Sequence, residues 1–232
     1  QVLWGGVAYQ NLQLTGNASY TLESAPTDIN GTVALESGTL DVEEYVFGGI
    51  NTSLYMTGGR FQMKGGRTLP DIQGGFNQEG GTIELYESSV PSSMFIRGGL
   101  SYFNVDINTG ASQEVSIDGG NLSVRSGGDF VVKANATFTL DKNDYIEGAG
   151  NFRVEADGTL LYAAQSGLTL GTATGTPAGN IRVTNGGAGR VAGSLSTNGN
   201  YGFVGDNDPM ASGDGLPATV NSLILKKSGG RV

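Results

Sequence analysis

Apolar residues along this chain come as alternating pairs separated by turn residues. The clearest stretch runs Val115/Ile117, Leu122/Val124, Phe130/Val132, Phe138/Leu140, Ile146, Phe152/Val154 and Leu160/Tyr162. Each pair has the period of two expected of a strand with one buried face. Between the pairs lie Asp118-Gly119-Gly120, Ser126-Gly127-Gly128, Lys142-Asn143-Asp144, Gly148-Ala149-Gly150 and Asp157-Gly158, turn chemistry that tolerates positive φ. The same rhythm occurs earlier, at Val33/Leu35, Leu40/Val42, Leu54/Met56, Phe61/Met63 and Ile83/Leu85. It admits two readings. A sandwich of antiparallel hairpins spaces its turns by about 8–12 residues. A parallel β-helix with three short strands per coil needs roughly 22 residues per coil at the spacing seen here, about 7.5 residues from pair to pair. The short strands favour the β-helix, right-handed, with about ten coils and a length of roughly 50 Å at about 4.8 Å per coil.

A second recurrence supports the solenoid. Tyr9-Gln10-Asn11-Leu12-Gln13-Leu14 returns as Tyr102-Phe103-Asn104-Val105-Asp106-Ile107, and more weakly as Thr219-Val220-Asn221-Ser222-Leu223-Ile224-Leu225. Gly-rich strand starts, Gly80-Gly81-Thr82-Ile83 and Gly199-Asn200-Tyr201-Gly202, precede the last two by about one coil length. The chain therefore reads as one continuous segment, 1–232. Within it lie sequence units of about 1–101 and 102–218 and a third starting at 219.

Composition sharpens this. Forty glycines among 232 residues exclude an all-helical fold, because each glycine in a helix interior is unfavourable by about 1 kcal/mol relative to alanine. The chain has no Cys and no His, which removes thiol nucleophiles, Ser-His-Asp triads and the usual zinc, haem and iron–sulfur ligands. A net charge of −9 argues against nucleic acid, whose phosphates call for a basic surface. No apolar run approaches the roughly 18 residues of a membrane-spanning helix. The first residue is Gln1, and Leu223-Ile224-Leu225 and Arg231-Val232 read as new strands beginning at the other end; both suggest a piece of a longer repeat protein.

The segment Gly199 to Val204, followed by Gly215-Leu216-Pro217-Ala218-Thr219-Val220-Asn221-Ser222-Leu223, resembles a repeat of large secreted surface proteins of Bacteroidetes-type bacteria. In the first unit, Glu87-Ser88-Ser89-Val90-Pro91 stands where the Leu-Pro-Ala-Thr-Val-Asn segment would be. The resemblance implies a substrate of the type IX secretion route, among cell-surface adhesins and gliding-associated proteins. It also implies further repeats of the same chain, and the secretion or gliding machinery, as partners.

Carboxylate, Lys/Arg and calcium chemistry remain open. Arg60, Lys64 and Arg67 form the dense basic cluster, with Phe61 interleaved and Asp71 nearby. At strand spacing Arg60 and Lys64 point the same way, which suits an acidic glycan. Exposed aromatics also bind sugars; Trp4, Tyr45, Tyr55, Tyr86 and Tyr102 are the candidates. Calcium, the one cofactor left open, would use Asp206 and Asp208 around Asn207, with Asp214, or Asp141 with Asn143 and Asp144. Neither group matches an EF-hand loop. Paired carboxylates such as Glu43-Glu44 face opposite sides of a strand, so no catalytic set assembles. Thr172-Ala173-Thr174-Gly175-Thr176 occurs once, too few times for an ice-binding face. The sequons at Asn17, Asn30, Asn51, Asn121 and Asn135 matter only in a eukaryotic secretory context. The expectation is a non-enzymatic structural or adhesive segment outside a bacterial cell. The alternatives are a polysaccharide-binding or polysaccharide-degrading module, and a cargo segment recognised by export machinery.

Overall fold

The structure is a computed structural model. It describes residues 1–64, 72–86, 93–111, 113–141, 144, 146–155 and 158–160, then Thr219, Leu223 and the backbone of the strands after residue 160. Among these residues there are strands and no helix. In chain order they are β1 (Val2–Trp4), β2 (Leu12–Leu14), β3 (Ser19–Glu23), β4 (Thr32–Leu35), β5 (Thr39–Asp41), β6 (Ser53–Lys64), β7 (Gly75–Tyr86) and β8 (Met94–Arg97). There follow β9 (Ser101–Tyr102), β10 (Asn104–Asn108), β11 (Glu114–Asp118), β12 (Leu122–Val124), β13 (Asp129–Val132), β14 (Thr137–Leu140), β15 (Ile146–Gly148) and β16 (Asn151–Val154). The last are β17 (Thr159–Tyr162), β18 (Leu168–Thr169), β19 (Thr172–Gly175), β20 (Asn180–Thr184), β21 (Val191–Ala192), β22 (Asn200–Val204) and β23 (Ser222–Lys226).

Among the described residues every strand pairing is parallel, so the fold is a parallel β-helix and not a sandwich. Three faces result. The first stacks β1-β3-β5-β6-β7-β10-β13-β16-β19 within an 11-stranded sheet. The second runs β8-β11-β14-β17-β20-β22-β23, and the third β9-β12-β15-β18-β21. Earlier in the chain the third face is carried by β2, β4 and the first halves of β6 and β7, and the second by isolated bridges such as Tyr9 to Ile29 and Thr27 to Phe47. The coil length matches the expected spacing: Arg60 lies opposite Thr82 and Thr82 opposite Asn104, two equal steps along the chain. The step is shortest from Val2 to Thr21 and longest from Val105 to Phe130.

Alternation supplies the core. On the first face Leu40, Phe61, Ile83, Val105, Phe130 and Phe152 stack in register, all fully buried. Phe130 stacks on Phe152 at 5.4 Å between ring centroids and meets Phe138 of the second face at 4.8 Å. Burying a side chain of this size contributes about 1.5–3 kcal/mol, and parallel stacking repeats that gain at each coil.

Two expected pairs merge. Leu54/Met56 and Phe61/Met63 belong to one 12-residue strand, β6, and the next coil repeats this in β7. The strand bends between the third and first faces at Gly58-Gly59 and again at Gly80-Gly81, where Gly59 and Gly81 have φ of 70° and 72°. A Cβ on Gly81 would lie 2.3 Å from the Gly58 carbonyl oxygen. Glycine is thus required twice over there, for dihedral and for approach. Among the described residues, three that are not glycine also take positive φ: Ser24, Glu43 and Asn135. All three lie just after a first-face strand, at the corner leading to the second face.

The Tyr-x-Asn recurrence acquires a physical meaning. Tyr9 and Tyr102 each donate their hydroxyl to the carbonyl five residues before, Trp4 at 3.2 Å and Arg97 at 2.7 Å. Asn11 Oδ1 accepts from the Thr32 amide at 2.8 Å, and Asn104 Oδ1 from the Asp129 amide at 3.0 Å. Each motif therefore clamps its own corner and the next coil. Its strands β2, β10 and β23 lie in three different ladders, so the recurrence marks a corner device and not a repeated position in the fold.

Candidate functional site: the charged outer face

The outward positions of the first face carry a connected set of charged side chains. Because side chains alternate, Asp41, Gln62, Glu84 and Asp106 form one column, with Arg60 and Lys64 on the columns to either side of it. Arg60 donates through Nη1 to Glu84 Oε2 at 2.8 Å and to Asp106 Oδ2 at 3.1 Å, one and two coils away. Glu84 accepts further bonds from Gln62 Nε2 at 2.6 Å and Asn108 Nδ2 at 2.8 Å. Lys133 then links Asp106 at 3.5 Å to Glu155 at 3.2 Å, and Arg153 reaches the same Glu155 oxygen at 3.4 Å. On the earlier side Lys64 pairs with Glu43, its ammonium 5.3 Å from the centre of the Tyr86 ring. Tyr86 donates to Asp41 Oδ2 at 2.7 Å.

The protonation equilibria follow this geometry. Burial works against the Glu84 carboxylate, but the bonds from Asn108 and Gln62 and the charge of Arg60 outweigh it and hold its pKa below the ordinary value. Burial likewise opposes the Arg60 cation; Glu84 and Asp106 prevail and keep its pKa raised. Lys64 is raised chiefly by its bond to Glu43. Asp41 is the exception, since burial pushes its pKa up despite the Tyr86 hydroxyl.

Arg60 and Lys64 thus share a face, as their spacing implies, yet they are engaged with carboxylates in opposite directions along the helix. Phe61 is not beside them at the surface: the alternation turns its ring inward, fully buried and packed edge-on against Phe47 at 6.0 Å. A sugar ring cannot reach it. Arg67, Asp71, Asp206, Asp208 and Asp214 lie outside the described residues. Among the aromatics Trp4 is exposed, Tyr55 is 38% exposed and Tyr102 is fully buried. Asp141 and Asp144 close a turn on each other: Asp144 Oδ2 accepts from the Asp141 amide at 3.2 Å, and the Asp144 amide donates to the Asp141 carbonyl at 3.0 Å. Among the described residues no group of three acidic side chains is arranged to hold a metal ion.

Sequence reasoning did not join Arg60 to Glu84 and Asp106. The signal was present, since Glu84 follows Gln62 by one coil and Asp106 follows Glu84 by one more. Comparison with family models, with curated proteins and with solved structures finds no match to this chain.

Proposed function

We propose that the chain is a non-catalytic structural or adhesive segment of a large bacterial surface protein, exported by a type IX-like route and working outside the cell among further repeats of the same chain. The observation that carries the reading is the mutual engagement of charge on the first face. Arg60, Lys64, Lys133 and Arg153 each meet carboxylates on their own coil or on coils one or two away, so the cations brace coil against coil instead of standing ready for a polyanion. A β-helix alone does not decide between scaffold and enzyme; the mutual neutralisation is what favours the scaffold. The placement at a bacterial surface is supported by the resemblance of residues 199–204 and 215–223 to secreted surface repeats.

The test sets the chain against acidic polysaccharides, measuring both binding and chain cleavage, beside a variant carrying Arg60→Ala and Lys64→Ala. Neither binding nor turnover is expected from the unsubstituted chain, and the variant is expected to lose thermal stability. Cleavage or saturable binding that disappears in the variant would overturn the reading in favour of a glycan-active module.

A further inference from the structure

On the third face the outward positions of the earlier coils form a flat ladder of a different character from the charged one. Gln13, Ala34, Tyr55 and Asn77 stand in register on β2, β4, β6 and β7, a column about 14 Å long at three strand spacings. Tyr55 is 38% exposed, while Leu54 and Met56 on either side of it point inward and are buried. Its neighbour in the column toward β2 is Ala34, so on that side nothing longer than a methyl group adjoins the tyrosine within the column.

The polar groups around this ring are held in place. Met56 pairs with Gln78 and Thr57 with Gly80, so β7 carries one extra residue there, Glu79; such a bulge re-aims a side chain. Glu79 Oε2 accepts from the Tyr55 hydroxyl at 3.1 Å, and its Oε1 accepts from Asn77 Nδ2 at 2.9 Å. Toward the other end of the column Glu36 Oε1 accepts from Gln13 Nε2 at 2.8 Å. The bond to Glu79 first, and the charge of Glu36 last, raise the pKa of the Tyr55 hydroxyl, which keeps its proton at neutral pH. Each amide nitrogen has a second N–H and each carboxylate oxygen more than one lone pair. Donors and acceptors therefore flank the ring on both sides.

We propose that this patch binds a short stretch of neutral polysaccharide, one sugar ring stacking on Tyr55 and its hydroxyls bonding to Gln13, Glu36, Asn77 and Glu79. A pyranose presents C–H groups to the negative face of an aromatic ring. Its hydroxyls both donate and accept, which suits amides and carboxylates together. The two carboxylates repel an acidic glycan, and none of these positions is a Lys or Arg that would receive one. A cationic peptide would engage the carboxylates, but its Lys and Arg side chains have no acceptor for the Gln13 and Asn77 N–H groups. The proposal rests on the adhesive reading of the chain and gives it a ligand class. The patch is separate from Arg60 and Lys64, whose cations are engaged on the first face.

The whole chain is titrated with neutral hexasaccharides of glucose, mannose, galactose and xylose, in α and β linkages, by calorimetry and saturation-transfer NMR. Saturable binding of at least one is expected. Tyr55→Ala should weaken it about tenfold. Tyr55→Phe, which keeps the ring and releases Glu79, should weaken it less, and this variant decides the matter if Tyr55→Ala does not fold. Trp4→Ala removes an exposed ring from the first face and should leave binding unchanged. No saturable binding of any hexasaccharide, full binding by Tyr55→Ala, loss of binding in Trp4→Ala, or binding of oligolysine alone would overturn the proposal and leave the scaffold reading standing. Binding of an acidic polysaccharide that is lost with Arg60→Ala and Lys64→Ala is a different result, and overturns the scaffold reading itself.

Discussion

The coils built on β6 and β7 differ from those that follow in how they turn the corner between the third and first faces. In the earlier pair one strand runs straight through, bent at Gly58-Gly59 and Gly80-Gly81. After residue 120 the same corner is a separate turn, Arg125–Gly128 between β12 and β13, with Gly127 at φ 78°. Both corners lie against the coil beneath: a Cβ on Gly81 would stand 2.3 Å from the Gly58 carbonyl oxygen and one on Gly128 2.0 Å from the Phe103 carbonyl oxygen. Glycine thus serves two purposes, positive φ and close approach. Gly81 meets both at once, whereas the later turn divides them between Gly127, at φ 78° with only the Phe103 ring near at 3.9 Å, and Gly128, which makes the approach.

The largest expected effect separates these purposes. Gly81→Ala combines a positive φ with fixed backbone atoms 2.3–2.6 Å from the new Cβ, and should cost about 3 kcal/mol. Gly99→Ala, with φ of 73° and nothing within 4 Å, should cost only about 1 kcal/mol. Denaturant midpoints of the two variants test the distinction; equal losses would erase it.

Next comes the charged ladder that binds the two regions together. Glu84 is a carboxylate with a folded-state pKa below its ordinary 4.5. Its contribution is complete above that value and is lost as pH falls toward the lower folded pKa. Glu84→Gln should cost about 1–2 kcal/mol at neutral pH and flatten the loss of stability below about pH 4.5. Asp41 has the opposite sign, being raised in the fold: the folded state gains a proton more readily than the unfolded chain, so acidification through that range favours folding. Asp41→Asn should remove this gain. Thermal melts across pH 3–6 read both, and parallel curves for wild type and Glu84→Gln would contradict the assignment.

A smaller effect of opposite direction belongs to the earlier coils. Thr27 is fully buried and its hydroxyl has no hydrogen-bond partner. Thr27→Val keeps the shape and removes the stranded polar group, so it should stabilise by about 1 kcal/mol. A fall in melting temperature would mean that the hydroxyl is satisfied. The smallest expected change is at the corner after β3, where Ser24 sits at φ 66°. Ser24→Gly relieves a dihedral cost but leaves the unfolded chain freer, for a net gain of about 0.5 kcal/mol, measurable as a slight rise in midpoint.

Much of this is legible in the sequence. The pairs Val115/Ile117, Phe130/Val132 and Phe152/Val154 are the buried pairs of β11, β13 and β16, because alternation is a local property of an extended chain. The coil length follows from the same spacing. The charged site is half legible: Arg60 and Lys64 on one side of a strand depend on neighbours four residues apart, but their partners lie one or two coils away. Phe61 is misplaced when the same parity argument is left unfinished, since an odd offset from Arg60 sends it inward. The positive φ of Ser24 and Glu43 leaves no compositional trace, as neither residue type advertises a left-handed corner.

Periodicity and turn composition were enough to favour a β-helix with a coil of about 22 residues over a sandwich, and the absence of histidine and cysteine removes chemistry that needs an imidazole or a thiol. Stacking alone decided the rest. Which carboxylate meets Arg60 and which carbonyl crowds Gly81 both depend on register between coils. The coil is shorter between Val2 and Thr21 than between Val105 and Phe130, and such drift accumulates out of reach of any local pattern.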